Sequence, residues 1–240
     1  TESINRYMND TLSYLAGYLG DRYKNDTIKQ APQLGLSFSY QPLNFMSFGV
    51  FGSIQFNRVE RTYSAATAMP GDYGGYIIFI ANNFHTVNTR AMVAGISTTL
   101  YLNKLLNLDK SDKKFLQRFQ LAVSLKGGFS FNTLAIDTGT KSLHVQDEMI
   151  QVEEIPSSQY KSSQTFRSNS FSGALELKVG YRIIDSKLFS TIGMKVGYQM
   201  QASKEMQDRG QYGLVYGIEK EKVKLNFSGL YYGIYLNIGK

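Results

Sequence analysis

The stretch ALELKVGYRII, residues 174–184, decides how this chain folds. Leu175, Leu177, Val179, Tyr181 and Ile183 fall on one side of an extended backbone; Ala174, Glu176, Lys178, Gly180 and Arg182 fall on the other. Side chains that alternate with a period of two mark a strand, because successive Cβ atoms point to opposite faces. The pattern leaves open which face is wet. In a soluble sandwich the apolar face is the core. In a small membrane barrel the apolar face meets lipid and the charges pack inside.

Composition narrows the choice. The 240 residues contain no cysteine, which excludes a disulfide framework, a thiolate metal site, a cysteine nucleophile and a lipidated cysteine. Tyr, Phe and Gly are abundant, Trp is absent and Pro is scarce, a balance that favours extended structure. The longest apolar run, residues 76–81, is far short of the ~20 residues a membrane helix needs. The mean hydropathy of −0.25 suits a soluble protein and a membrane barrel equally, since half of each barrel strand faces inwards. The N-terminus has no charged and then apolar leader, as in a mature or trimmed chain. The net charge of +7 raises nucleic acid or anionic lipid as partners. The basic residues are dispersed among acids, as at 104–114, and no nucleic-acid-binding motif accompanies them, so nucleic acid is not expected.

Seven segments alternate: 33–41, 45–57, 89–103, 115–131, 171–183, 188–201 and 224–238. Most exceed the five or six residues of a globular strand and match the ~9–11 that cross a bilayer at a tilt. Their connections alternate in length. Tight or medium turns at 42–44, 104–114 and 184–187 take turns with long loops at 58–88, 132–170 and 202–223. Outer-membrane barrels of the up-and-down type place short turns at the periplasmic end and long loops outside. Such a layout calls for an ascending strand before 33–41. Residues 11–23 are the candidate, although Met8, Leu12, Leu15 and Leu19 also fit an amphipathic helix lying against the membrane. The expected fold is all-β: one closed, antiparallel, eight-stranded transmembrane barrel spanning 1–240, with 1–10 as a periplasmic segment.

Glycine recurs on the polar faces, among others at Gly180, Gly193, Gly197 and Gly233. A narrow barrel interior needs small residues between long ones. Charges there must be paired, which predicts a network of Glu176 with Lys126, Lys178, Lys195, Arg118 and Arg182. That network is read as a hydrated structural filling, with an anion-selective lumen as the sharper alternative.

The last strand, YYGIYLNI at 231–238, resembles the terminal assembly signal of outer-membrane proteins through Gly233, Leu236 and Ile238, although the chain ends Gly239-Lys240 and not in an aromatic residue. With the eight-strand layout, the chain resembles small outer-membrane barrels of the OmpA/OmpX or opacity-protein kind, and its Tyr- and Lys-rich texture is closer to PorT-like barrels. The resemblance implies a location in the bacterial outer membrane, contact with lipid and lipopolysaccharide, and handling by the barrel assembly machinery. It also implies a non-enzymatic role as a subunit of an envelope assembly, secretion or uptake complex. An adhesin, a narrow pore and a lipid A-modifying enzyme are the alternatives.

Chemistry in the loops is sparse. His85 and His144 lie in the expected long loops without the His-x-Ser spacing of a dyad, so no catalytic residue is assigned. The acidic run 146–154 lacks a calcium-loop ladder, and Gly71-Asp-Tyr-Gly-Gly75 is not followed by a phosphate-binding helix, so no metal or cofactor is expected. An apolar patch of Tyr76, Ile77, Ile78, Phe79, Ile80 and Phe84 is expected to form a lid over the mouth, to extend a strand, or to dock a partner.

Overall fold

The alternation at 174–184 does form a strand, within a sheet much longer than the alternating segments suggest. The computed structural model describes residues 31–70, 76–146, 155–156, 161–183, 191–210, 212–216 and 221–238. In chain order the strands are β1 Gln33–Leu43, β2 Met46–Pro70, β3 Tyr76–Tyr101, β4 Phe119–Gln146, β5 Ile155–Pro156, β6 Lys161–Tyr181, β7 Thr191–Gln201, β8 Lys204–Glu205, β9 Val215–Tyr216, β10 Glu221–Lys222, β11 Lys224–Leu225 and β12 Gly229–Asn237. Seven of them make one antiparallel sheet in the order β1-β2-β3-β4-β6-β7-β12, and β5 pairs with β4 beside it. Sequential neighbours pair throughout, as hairpin-linked strands do.

This sheet is rolled. β2 and β7 lie four strand steps apart, roughly 19 Å across a flat sheet at ~4.8 Å per step. Yet Gln55 Nε2 of β2 donates to Gln199 Oε1 of β7 at 3.5 Å. The two faces therefore become an inside and an outside. Among the described residues β1 and β12 are the two edges, and the predicted first strand at 11–23 lies outside those residues, as does the turn at 184–187.

The polar face turns inward. Glu176 is 1% exposed, while Leu175 and Leu177 on either side of it are exposed. Inside lie Ser47, Gln55, Thr99, Ser124, Ser130, Asn132 and Gln199, all buried. Outside lie Phe48, Val50, Phe56, Met92, Ile96, Leu125, Phe129, Phe131, Phe171, Met194, Val196, Tyr232 and Ile234, all exposed. A fold that buries hydroxyls and amides while presenting phenyl and aliphatic groups reverses the arrangement of a water-soluble domain.

Two of the expected long loops are strands. β2 runs on to Pro70 and β3 starts at Tyr76, in continuous register from Met46↔Leu100 to Pro70↔Tyr76. β4 likewise runs to Gln146, paired with β6 from Phe119↔Tyr181 to Gly139↔Lys161. The alternation does not stop at 57 or 131; its phase inverts. On β2 the outward side chains Phe48, Val50 and Phe56 give way to the ion pair Arg58–Glu60, and the apolar residue moves to the inward, buried Val59. On β4 outward Phe129 and Phe131 are succeeded by inward Leu134 and Ile136, and on β6 inward Phe166 precedes outward Phe171. The inversions sit at about one level of the sheet, because Phe56 pairs with Arg90, Arg90 with Thr133, and Thr133 with Arg167.

Above that level the interior is mainly apolar, with Thr89 and His85 of β3 buried beside the cluster. Val59, Val87, Ala91, Leu134, Ile136 and Phe166 pack against Met206, Leu214, Val223, Leu225 and Phe227 from the connection between β7 and β12. That connection folds into the mouth: 202–223, expected as an outer loop, belong to it, and so do 224–228, expected in the last strand, with Lys224–Leu225 paired to Lys204–Glu205. It is held by Leu214 N–H to Met206 O, Val223 N–H to Leu214 O and Met206 N–H to Val223 O at 3.0, 2.7 and 3.0 Å. At the other end, residues 115–118, expected in a strand, belong to a short helix Lys114–Arg118, and a second helical turn, Leu102–Leu105, follows β3.

Candidate functional site

The interior below the plug is stratified. Nearest the plug is a layer of neutral groups. Gln201 of β7 donates through Nε2 to Ser130 Oγ, Asn132 Oδ1 and Ser170 Oγ at 3.0, 2.8 and 2.9 Å, and its Oε1 accepts Phe227 N–H at 3.1 Å. Asn132 in turn donates to Ser168 and Ser170 at 3.4 and 3.3 Å. Buried amides and hydroxyls are tolerable only when satisfied, and this layer satisfies them across three strands and the incoming plug.

The next layer is charged. Glu176 Oε1 accepts from Lys126 Nζ at 2.7 Å and from Tyr231 O–H at 2.8 Å. Lys195 Nζ lies 3.6 Å from the same oxygen and Lys178 Nζ 3.4 Å from Oε2. One carboxylate therefore faces three ammonium groups. Aromatic faces accommodate part of the excess charge: Lys126 Nζ sits 5.1 Å from the Phe51 ring centroid and Lys195 Nζ 5.8 Å from that of Tyr231. Such contacts are worth ~0.5–2 kcal/mol each, more when desolvated.

Glycines make room for the rings. Gly180 and Gly193 are cross-strand partners on β6 and β7, and a Cβ on Gly193 would fall 2.6 Å from Tyr235 Cε1 and 2.7 Å from Gly180 Cα. A Cβ on Gly197 would meet Tyr231 Cζ at 2.7 Å. The inward tyrosines of β12 thus lie over the glycines of β7, an arrangement that covers otherwise unpacked backbone. Beside Glu176 and Lys126 the free space amounts to about 10 Å³, about what one water occupies.

The predicted network is therefore assembled in part. Glu176, Lys126, Lys178 and Lys195 come together. Arg118 and Arg182 do not join them, which corrects the expectation. Both are exposed at the turn end, linked by Arg182 N–H to Arg118 O at 2.9 Å. Their positions follow from the backbone, because Arg118 closes a helix and Arg182 lies beyond the end of β6. Nearby, burial first and the charge of Arg182 second hold the Lys104 ammonium below its ordinary value. Gly233 faces inwards near Lys195, and Leu236 and Ile238 face outwards and are exposed.

Tyr76, Ile77, Ile78, Phe79 and Ile80 lie in β3 as an extension of the β2–β3 hairpin, one of the arrangements expected of them, and Phe84 is half-buried. His85 is buried in β3 opposite Thr138, and His144 lies in β4 opposite Ile80, so neither is in a loop. Most of the acidic run, 147–154, lies outside the described residues, as do 71–75. The amide layer around Gln201 and the part played by Tyr231 were not predicted. Their one sequence signal is the run of Ser, Asn and Gln on inward positions.

The outer surface has its own order. Phe115 stacks on Phe119 and on Tyr181 at centroid distances of 6.1 and 5.7 Å near the turn end, and Phe129 meets Phe171 at 4.7 Å near the level of inversion. Between them the outward positions of the described residues are aliphatic, aromatic or glycine, apart from Thr98 of β3. No protein-family model, curated protein or solved structure matches the chain.

Proposed function

We propose that the chain is an integral bacterial outer-membrane β-barrel of eight strands, filled inside, which acts through the parts it projects beyond the bilayer. One observation carries this reading: a continuous outward apolar belt that ends, on neighbouring strands, at a common level where the hydrophobic phase inverts. Water on both sides of that level gives no reason for the inversion. Lipid below and water above does. On β2 the belt runs nine residues, eight steps, from Phe48 to Phe56, about 26 Å along the strand at ~3.3 Å per step and about 20 Å tall at a ~40° tilt. On β4 it runs thirteen residues, twelve steps, from Phe119 to Phe131, about 30 Å tall on the same basis. The apolar band of an outer-membrane barrel is ~25 Å tall and edged by aromatic residues.

The need to pair the two edges fits the same reading. A lipid-embedded sheet cannot leave edges unpaired. With seven antiparallel strands, β1 and β12 run in the same direction, so an all-antiparallel closure needs one further strand of opposite sense. The sequence offers 11–23, outside the described residues, as its candidate.

The filled interior argues against a pore, and buried His85 is not at a lipid-facing rim where a lipid-modifying enzyme would need it. The β2–β3 and β4–β6 hairpins and the plugged mouth are what remain to engage others. The role proposed is a non-enzymatic subunit of an envelope assembly, secretion or uptake complex. The barrel assembly machinery inserts it, with Gly233, Leu236 and Ile238 as the signal. Flotation of the full chain with liposomes, and its recovery with stoichiometric envelope proteins from detergent-solubilised outer membranes, test the two halves of this reading. A chain that stays soluble without detergent, or that is always recovered alone, refutes the corresponding half.

A further inference from the structure

Immediately above the belt, the outward face carries guanidinium groups without acidic partners. Arg90 of β3, Thr133 of β4 and Arg167 of β6 are consecutive cross-strand partners, which places the two arginine Cα atoms about 10 Å apart. The next outward rung below them is Met92, Phe131 and Asn169, all exposed, so on β6 the belt begins one outward position further down, at Phe171. Arg167 also lines a cleft of about 770 Å³ with Arg209, Asp208, Phe166, Tyr212 and Val215.

None of the acids nearby pairs with these guanidinium groups among the described residues: Asp137, outward on β4, accepts from Asn88 Nδ2 at 3.2 Å and from Ser163 Oγ at 2.6 Å. Glu60 Oε2 holds Arg58 at 3.1 Å, and Asp208 Oδ1 accepts Tyr212 N–H at 2.8 Å. Arg90, Arg167 and Arg209 are exposed and have no ion-pair partner among the described residues. Guanidinium forks favour phosphate in bidentate geometry, and the belt directly beneath offers an apolar surface to acyl chains.

We propose that Arg90, Arg167 and Arg209, with the cleft between β6 and the 208–215 turn, seat the phosphorylated head group of a membrane lipid whose chains lie against Met92, Phe131 and Phe171. The inference rests on the membrane reading above and adds a lipid class and a position to it. A protein partner would need a patch facing away from the bilayer. This row faces sideways, at the height of the head groups.

The test uses the full chain in detergent, titrated with bis-phosphorylated lipid A and, separately, with the same glycolipid after removal of its phosphates, with bound lipid counted by native mass spectrometry. The expected result is tighter binding of the phosphorylated form, with about a fivefold loss for each guanidinium removed in Arg90→Gln, Arg167→Gln and Arg209→Gln. Equal binding of the two glycolipids overturns the proposal, as does selectivity that survives the triple variant. If inorganic phosphate alone saturates the site and displaces the lipid, the site is one for free phosphate and the lipid assignment falls. Flotation of wild type and triple variant with zwitterionic phosphatidylcholine vesicles separates the two readings. If both float, a negative binding result condemns the head-group seat alone; if neither floats, the membrane reading fails and takes the seat with it.

Discussion

Replacing Glu176 by Gln keeps the shape of the charged layer and removes its one negative charge. Lys126, Lys178 and Lys195, at 2.7, 3.4 and 3.6 Å from the carboxylate and only 16–24% exposed, would then repel one another in a confined space. Each lost attraction is worth ~4 kcal/mol at ~4 Å with an effective dielectric of ~20. Most of that is offset, since Gln costs less to desolvate and the lysine chains can bend towards water. The net expected loss is the ~3–5 kcal/mol typical of a broken buried pair. With a urea dependence of ~2–3 kcal/mol per molar, the unfolding midpoint falls by about 1–2 M. Far-UV circular dichroism in detergent, read beside the heat-modifiable gel shift, measures it without a tryptophan signal. Glu176→Gln combined with Lys126→Met should recover part of the loss, because the second change removes one of the repelling groups, with a coupling of ~1–3 kcal/mol. A Glu176→Gln midpoint within ~0.5 kcal/mol of wild type, or strict additivity in the double variant, would refute the argument.

Gly193→Ala should destabilise the fold by ~1–3 kcal/mol through overpacking against Tyr235 and Gly180. Gly127→Ala, whose Cβ would meet nothing within 4 Å, should leave the same midpoint unchanged. Gln201→Leu strands the Phe227 N–H and removes three hydrogen bonds of the amide layer, at ~1–3 kcal/mol for each buried group left unsatisfied. Its readout is faster tryptic cleavage at Lys204, Arg209 and Lys222, and an unchanged cleavage pattern would show that the layer does not hold the plug. Leu15→Pro separates two readings of 11–23. A paired strand loses a ladder hydrogen bond and closure, so heat-modifiability disappears; a helix resting on the membrane leaves it intact.

Much of this was legible in the residues. The two faces of 174–184 and the meeting of Glu176 with Lys126, Lys178 and Lys195 follow from period-two geometry and from the cost of an unpaired buried charge. The hairpin extensions were hidden because the alternation changes phase where they begin. Arg58, Val59 and Glu60 still alternate, with the apolar residue moved to the inner side. The plug was hidden for another reason. Met206, Leu214, Val223 and Leu225 have no regular spacing, and their burial depends on backbone bonds between segments that no local pattern announces. Arg118 and Arg182 share the parity of the network but lie beyond its strands, where a helical turn and the end of β6 carry them into the open. The amide layer could be foreseen as polar, but its hydrogen bonds join β4, β6 and β7 across the interior and so depend on how the sheet rolls.

The belt is the claim on which the rest depends, and the absence of cysteine lends itself to a direct measurement. Single cysteines placed in turn at residues 169–181 of β6, nitroxide-labelled in liposomes, report collision with oxygen in lipid and with a nickel chelate in water. The account expects oxygen to dominate at Phe171, Leu175, Leu177 and Val179, low access to both reagents at Ser172, Ala174, Glu176 and Lys178, and the chelate to dominate at Asn169. Chelate access at Leu175 and Leu177 equal to that at Asn169 would mean that water bathes the apolar face, and the membrane barrel would be contradicted.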